Sequence, residues 1–325
     1  MHFRYYVFAD QRYGYVLEPN TASRAFVDAS INFGTDPNST VTMEQFPDDY
    51  PGENPDGLVS GAYPLALDFN SAKNNAFHVE YMSLTNGRMT GEWIKTDVLE
   101  ALLENFKPHI ILTGQAIYYT DVDIDLIKDF VDKGGVFLMF NEYYPSVPRT
   151  NAMVQELLTT NGVGSNHTQA SYDYIDYKLL EPQTTEEKDP ILKGPFFEGS
   201  LAGKDWGSDG ICLHGFSGLD PNEVYIYSKR QYDDKESVCF FRHKTKPFLF
   251  IGDGGFISNA QRYIGGEYRG SLVYCPFAIN SSYQAIPRTN YRAARDKIVY
   301  NSQIFGNILT WAVDWAESDK GIKYE

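Results

Sequence analysis

The apolar positions of this chain are densest between residues 108 and 144. Two continuous runs, His109–Thr113 and Val136–Phe140, flank a segment in which Ile124, Ile127 and Val131 recur at i, i+3 and i+7, with Phe130 beside them and charges elsewhere. The runs have the length of strands buried on both faces, and the segment between them has the spacing of an amphipathic helix. Thr120 with Asp123 three residues later reads as a reciprocal helix cap, and Gly134-Gly135 as the stop. Together they predict a strand–helix–strand crossover whose two strands are parallel, adjacent and central.

The pattern extends in both directions. Tyr5–Ala9, Val41–Phe46 and Phe77–Met82 are strand-like, whereas Asp10–Asn20 and the acidic, turn-rich Pro47–Gly61 read as loops. Thr21 caps a helix predicted over Ala22–Asn32, and Thr96 opens another with Leu99, Leu102, Leu103 and Phe106 on its apolar side. A helix over Asn151–Thr160 precedes a polar stretch, Ser165–Gly210, broken by Pro and Gly. Four strand-like runs follow, at Ile211–Phe216, Val224–Ser228, Val238–Arg242 and Phe248–Ile251. Pro276–Asn290 reads as a long loop and Arg295–Ala316 as a closing helix, with Ile304, Phe305, Ile308, Leu309 and Ala312 inward. The expectation is one α/β domain over residues 1–325: an open, mostly parallel sheet with helices on both faces and a β-rich elaboration around 165–245.

Composition narrows the partners more than the fold. Acidic residues outnumber basic ones 43 to 28, and the resulting charge of −15 repels a polyanion, so nucleic acid is not an expected partner. No apolar stretch reaches the roughly 18 residues of a membrane-spanning helix. No Lys/Arg run marks a membrane surface, and the first residues turn polar too early for a signal peptide. Aromatic residues make up 15%, and Tyr-rich loops suit contact with sugars or peptides as well as half-buried packing. The cysteines, Cys212, Cys239 and Cys275, form neither a disulfide framework nor a metal pattern and read as buried thiols. The histidines have no ligand spacing, and His109, entering a core strand, reads as structural. Neither a metal nor a cofactor is expected.

In a parallel α/β sheet, ligands bind beyond the carboxyl ends of the strands. Those ends here carry Asp10, Gly114-Gln115, Asn141-Glu142 and Gly252-Asp253-Gly254-Gly255. The expected ligand-binding residues are therefore Gln115, Asn141, Glu142, Asp253 and Gly254, flanked by Tyr143 and Tyr144. Glu142 and Asp253 have the chemistry of a carboxylate pair, for general acid–base work or for a hard cation. Alternatively, Asp253 accepts backbone N–H groups of its own turn. Gly254-Gly255 permits close backbone approach to an anion, but the spacing is that of neither a P-loop nor a dinucleotide fingerprint. A Gly-x-Ser-x-Gly nucleophile elbow does not occur in the chain.

The central unit, followed by PFLFIGDGGFISN (Pro247–Asn259) and NSQIFGNILTWAVDW (Asn301–Trp315), resembles the class I glutamine-amidotransferase-like superfamily. Within it the chain is similar to an uncharacterised bacterial branch that ends in a strand, Gly-Asp, a small-residue turn and an Asn-containing helix. The likeness covers Phe77–Glu156 and Pro247–Trp315, and it implies a flavodoxin-like open sheet of about five or six parallel strands. Amidotransferases carry a cysteine on the tight turn after the strand matching Val136–Phe140, where this chain has Asn141-Glu142. Neither replaces a thiolate nucleophile, and the His-x-Glu pair has no counterpart near Asp253. Gly210–Gly215 repeats the letters of the cysteine elbow without a helical pattern after it. The resemblance extends a periplasmic or cell-surface location to this chain, with the cytoplasm as the alternative. The functional expectation is a non-catalytic domain that binds or scaffolds and recognises a small polar ligand, a glycan or a peptide. The alternative is a hydrolase using Glu142 and Asp253.

Overall fold

In the computed structural model the strand–helix–strand unit stands at the middle of a ten-stranded sheet. The structure describes residues 5–9, 13–20, 76–83, 96–101, 103–104, 107–113, 119–141, 149–160, 164–169, 177–182, 189–207, 212–232, 235–253, 256, 263–264, 267–268, 276, 285–291 and 297–324. The elements begin with β1 (Tyr5–Ala9), β2 (Tyr13–Asn20), β3 (Ala76–Ser83), α1 (Thr96–Ala101), β4 (Ile110–Thr113), α2 (Asp121–Asp132), β5 (Val136–Phe140) and α3 (Arg149–Leu157). Next come β6 (Gly164–Gln169), β7 (Tyr177–Lys178), β8 (Asp205–Trp206), β9 (Cys212–Ser217), β10 (Val224–Tyr232), β11 (Lys235–His243) and β12 (Phe248–Ile251). Two small pairs, β13 (Tyr263–Ile264) with β14 (Glu267–Tyr268) and β15 (Arg288–Tyr291) with β16 (Lys297–Val299), precede α4 (Asn301–Glu317).

The sheet order is β3-β2-β1-β4-β5-β12-β11-β9-β6, with β10 on β11. β1, β4, β5 and β12 form a parallel quartet. Every other pairing in the sheet is antiparallel. The sheet is thus mixed, and the expectation of a mostly parallel one holds only for the quartet. Two details of the sequence reading are also corrected. Tyr13–Asn20, read as loop, is β2, whose alternating Tyr13, Tyr15 and Leu17 were masked by the Gly, Glu, Pro and Asn among them. The closing helix starts at Asn301, because Lys297–Val299 pairs with β15. The helix predicted over Ala22–Asn32, the strand over Val41–Phe46 and the loop over Pro47–Gly61 lie outside the described residues.

β4 and β5 are buried at every position, so both of their faces are covered. On one face, Ile111, Phe137 and Met139 pack with Leu99 of α1, Ile124, Ile127, Phe130 and Val131 of α2, and Met153, Val154 and Leu157 of α3. On the other, Ile110, Leu112, Val136, Leu138 and Phe140 pack with Ile304, Phe305, Ile308, Leu309 and Ala312 of α4, and with Leu179, Ile191, Leu192, Leu201 and Trp206. Each fully buried Leu, Ile or Phe contributes about 1.5–3 kcal/mol relative to exposure. α2 carries its predicted cap: the Thr120 hydroxyl accepts the Asp123 N–H at 3.1 Å, and Asp123 accepts the Thr120 N–H at 2.7 Å. Gly134 ends the helix at φ +96°, and an added Cβ would collide with the Lys320 carbonyl, so both backbone and space require glycine there.

Candidate functional site

β4, β5 and β12 end together at one edge, with Ile251 in register with Phe140 and Thr113 with Met139. The Asn141 N–H donates to the Ile251 carbonyl at 2.9 Å, extending the β5–β12 ladder by one residue, and Asp253 lies two residues past Ile251. Both side chains are fully buried. Strand alternation carried past Phe140 assigns Asn141 to the face of Phe137 and Met139, under α1–α3. Asp253 belongs to the other side. Alternation from Ile251 carries Asp253 toward the core beneath α4, where burial, with the Asp253 charge as a smaller contribution, suppresses the ionisation of the Tyr177 hydroxyl and the Cys239 thiol. Asn141 and Asp253 therefore adjoin along the backbone and diverge at the side chains. Gln115, Glu142, Tyr143, Tyr144 and Gly254, with Asp10, Gly255 and Cys275, lie outside the described residues.

The position of Asp253 is set by a fork in the sheet. The Gly252 N–H donates to the Cys239 carbonyl of β11 at 2.8 Å, and the Gly252 carbonyl accepts the His214 N–H of β9 at 2.7 Å. β12 pairs with β11 at Phe240–Arg242, and β9 takes over the same strand at Val238. A Cβ on residue 252 would collide with the His214 carbonyl, so only glycine fits at the fork. Beyond it, the Asp253 carbonyl accepts the Phe256 N–H at 3.4 Å, and the Phe256 carbonyl accepts the Asn301 amide at 2.8 Å. Asn301 also clasps Gly207, accepting its N–H at 2.8 Å and donating to its carbonyl at 2.7 Å. One turn and a half along α4, Asn307 accepts the Phe196 N–H and donates to the Ile191 carbonyl, both at 2.9 Å. The asparagines of the closing helix are thus backbone clasps.

Two further polar clusters were not anticipated. In the first, the Asp189 carboxylate accepts the Ile191 and Leu192 N–H groups and the Tyr227 hydroxyl at 2.8–3.0 Å. Arg242 donates to the Tyr227 oxygen at 3.1 Å and lies 3.6 Å from Asp189. Its guanidinium sits over the rings of Tyr225 and Trp311, at 4.7 and 5.2 Å from their centroids. In the second, Glu223 accepts both the N–H and the hydroxyl of Thr159 and of Thr160, and faces His243 Nε2 at 3.3 Å. Burial alone would raise the Glu223 carboxyl, but the Thr160 and Thr159 hydrogen bonds and the nearby His243 outweigh it and bring it to about 2. His243 Nδ1 accepts the Thr245 and Lys246 N–H groups at 3.0 and 2.9 Å, which places its proton on Nε2, donated to Glu223. Burial lowers His243 despite the carboxylate beside it. Both of its nitrogens are engaged, so this Glu–His pair ties α3 to the end of β11 and is not poised for proton transfer.

Cys239 is buried and donates to the Ser228 carbonyl at 3.6 Å, and burial pushes its thiol up to about 12, far from a thiolate nucleophile. Cys212 lies in β9, where the amidotransferase elbow would need a turn. His109 is buried with its ring edge-to-face against Tyr324, a packing role. Among the described residues, no group of three or more His, Cys, Asp or Glu gathers as a metal site, and no helix is long and apolar enough to cross a membrane. The signal for the unanticipated clusters was present only in Arg242, a charge closing the apolar run Val238–Phe241, because a cation in a buried strand requires a partner. Nothing in the spacing pointed to Asp189 or Glu223. Comparison of the chain with family models, curated proteins and solved structures finds no match.

Proposed function

We propose that this chain is a non-catalytic binding domain with amidotransferase-like, flavodoxin-like ancestry, which takes a small polar ligand, a glycan or a peptide, at the carboxyl edge of β4, β5 and β12. One observation carries the reading: where two adjacent parallel strands end, the buried Asn141 amide and the buried Asp253 carboxylate are neighbours along the backbone, one serving each face of the sheet. Polar groups withdrawn from water at that edge are the usual means by which parallel sheets hold a ligand's polar atoms. The fork at Gly252 supports it, since a residue with no freedom to shift presents Asp253 at a fixed point. Gln115, Glu142 and Tyr143 or Tyr144, from the segments that follow β4 and β5, complete the proposed lining. The inert Cys239 and the committed His243 support binding over turnover.

The test is a glycan and peptide array probed with the wild-type chain, Asn141→Ala, Asp253→Asn and Glu142→Ala, with thermal unfolding recorded for each. At least a tenfold loss of binding in two of the three variants, with folding retained, is the expected result. Binding unchanged in all three removes the site. Turnover of a bound compound by the wild type, lost in Glu142→Ala, replaces this reading with a hydrolase.

A further inference from the structure

On the α4 face, the segment 196–206 brings aromatic rings and a cation to the same edge. The Phe197 and Tyr300 rings meet edge-to-face with centroids 5.5 Å apart, and the Lys204 ammonium lies 5.6 and 5.3 Å from them. All three residues are half-buried. The corner is tied to the candidate site through the backbone. The Tyr300 N–H donates to the Asp205 carbonyl, and the next residue, Asn301, holds the Phe256 carbonyl three residues past Asp253. Among the described residues Lys204 meets no carboxylate, as is also true of Lys107, Lys178, Lys244, Lys320 and Lys323, but of these lysines only Lys204 lies over two rings.

Two ring faces replace part of the ammonium's hydration and fix its position, yet they accept none of its three N–H donors strongly. A partly desolvated cation without a counter-charge favours an anion from outside. A carboxylate satisfies the charge, and the flanking rings suit the apolar face of a pyranose. We propose that Phe197, Lys204 and Tyr300 form a subsite for a sugar ring bearing a carboxylate, Lys204 taking the acid and the rings its C–H face. The subsite rests on the binding reading above and assigns the ligand class to it: an acidic saccharide. An acidic peptide would satisfy Lys204 alone and leave the rings unused.

Titration calorimetry of the full chain tests it, with trigalacturonate, neutral galactotriose and an oligo-glutamate peptide as probes at low and high salt. The acidic sugar is expected to bind about tenfold more tightly than the neutral one at low salt, the scale of one charge-assisted contact. That preference should shrink with salt, vanish in Lys204→Gln and return in Lys204→Arg, while Tyr300→Ala weakens both sugars. Asp253→Asn should weaken both sugars without altering their ratio, which separates the edge site from the subsite. Equal binding of the two sugars, or a preference surviving in Lys204→Gln, overturns the subsite and leaves the edge site standing. Binding of neither sugar overturns the saccharide assignment. Tighter, Lys204-dependent binding of the peptide overturns it in favour of a peptide ligand.

Discussion

The two faces of the sheet are covered in different ways. Beneath α1, α2 and α3 the packing side chains form a continuous apolar cluster, and the helices satisfy their own backbones, with α2 held at its start by a reciprocal cap. Beneath α4 the cover is part helix and part irregular chain, from residues 177–182 and 189–207, and irregular backbone brings polar groups into the core. Those groups need partners, and side chains supply them: Asp189 for Ile191 and Leu192, Asn307 for Ile191 and Phe196, Asn301 for Gly207 and Phe256. Regular elements let a core be apolar, whereas irregular ones require a buried polar framework.

The comparison breaks most visibly at Asp189. Asp189→Ala removes a carboxylate from the buried Arg242 guanidinium, for an expected loss of about 3–5 kcal/mol in urea unfolding. Replacing both partners with apolar residues of similar volume, Asp189→Leu with Arg242→Met, should recover much of that loss. A single variant as stable as wild type would show that the α4 face does not depend on its ionic framework.

A pH series sharpens the contrast, because the titrating latch, Glu223 with His243, joins α3 to the antiparallel wing. The folded Glu223 carboxyl titrates at about 2 against an ordinary 4.5, so its contribution is complete above 4.5 and is lost as pH falls toward 2. His243, lowered from 6.5, acts in the same direction, because the unfolded chain takes up its proton first as pH falls below 6.5. The melting temperature should decline on this acid limb, and Glu223→Gln should flatten its lower part while costing about 1–2 kcal/mol at neutral pH. An unchanged limb in that variant would place the acid sensitivity elsewhere. The smallest effect belongs to the all-helical face, where Thr120→Ala removes one half of the α2 cap and should cost about 1 kcal/mol by chemical denaturation.

These differences also explain what was legible in the residues. The crossover could be read because β4 and β5 are continuous apolar runs and α2 has both periodicity and caps, all local signals. Asn141 and Asp253 were placed at strand ends for the same reason. That their side chains part to opposite faces depends on register and on the fork at Gly252, which join β12 to β9 and β11. Arg242 was visible as a charge out of place, but Asp189 lies 53 residues earlier, in the irregular cover beneath α4. The parallel order was over-extended because antiparallel β9–β11 have the same short apolar runs as parallel strands, and direction has no signature within a run.

The pairing of β5 with β12 sets a schedule for synthesis. Phe140 meets Ile251, more than a hundred residues downstream, so Val136–Phe140 leaves the ribosome long before the strand that seals its side. At translation rates of about 5–20 residues per second, that apolar edge waits roughly five to twenty seconds for its partner. Meanwhile it offers unpaired amides and bulky side chains to any neighbouring strand. The nascent chain is most exposed to aggregation in that interval, and holdase chaperones would have their clearest target in the segment from Val136 to Phe140.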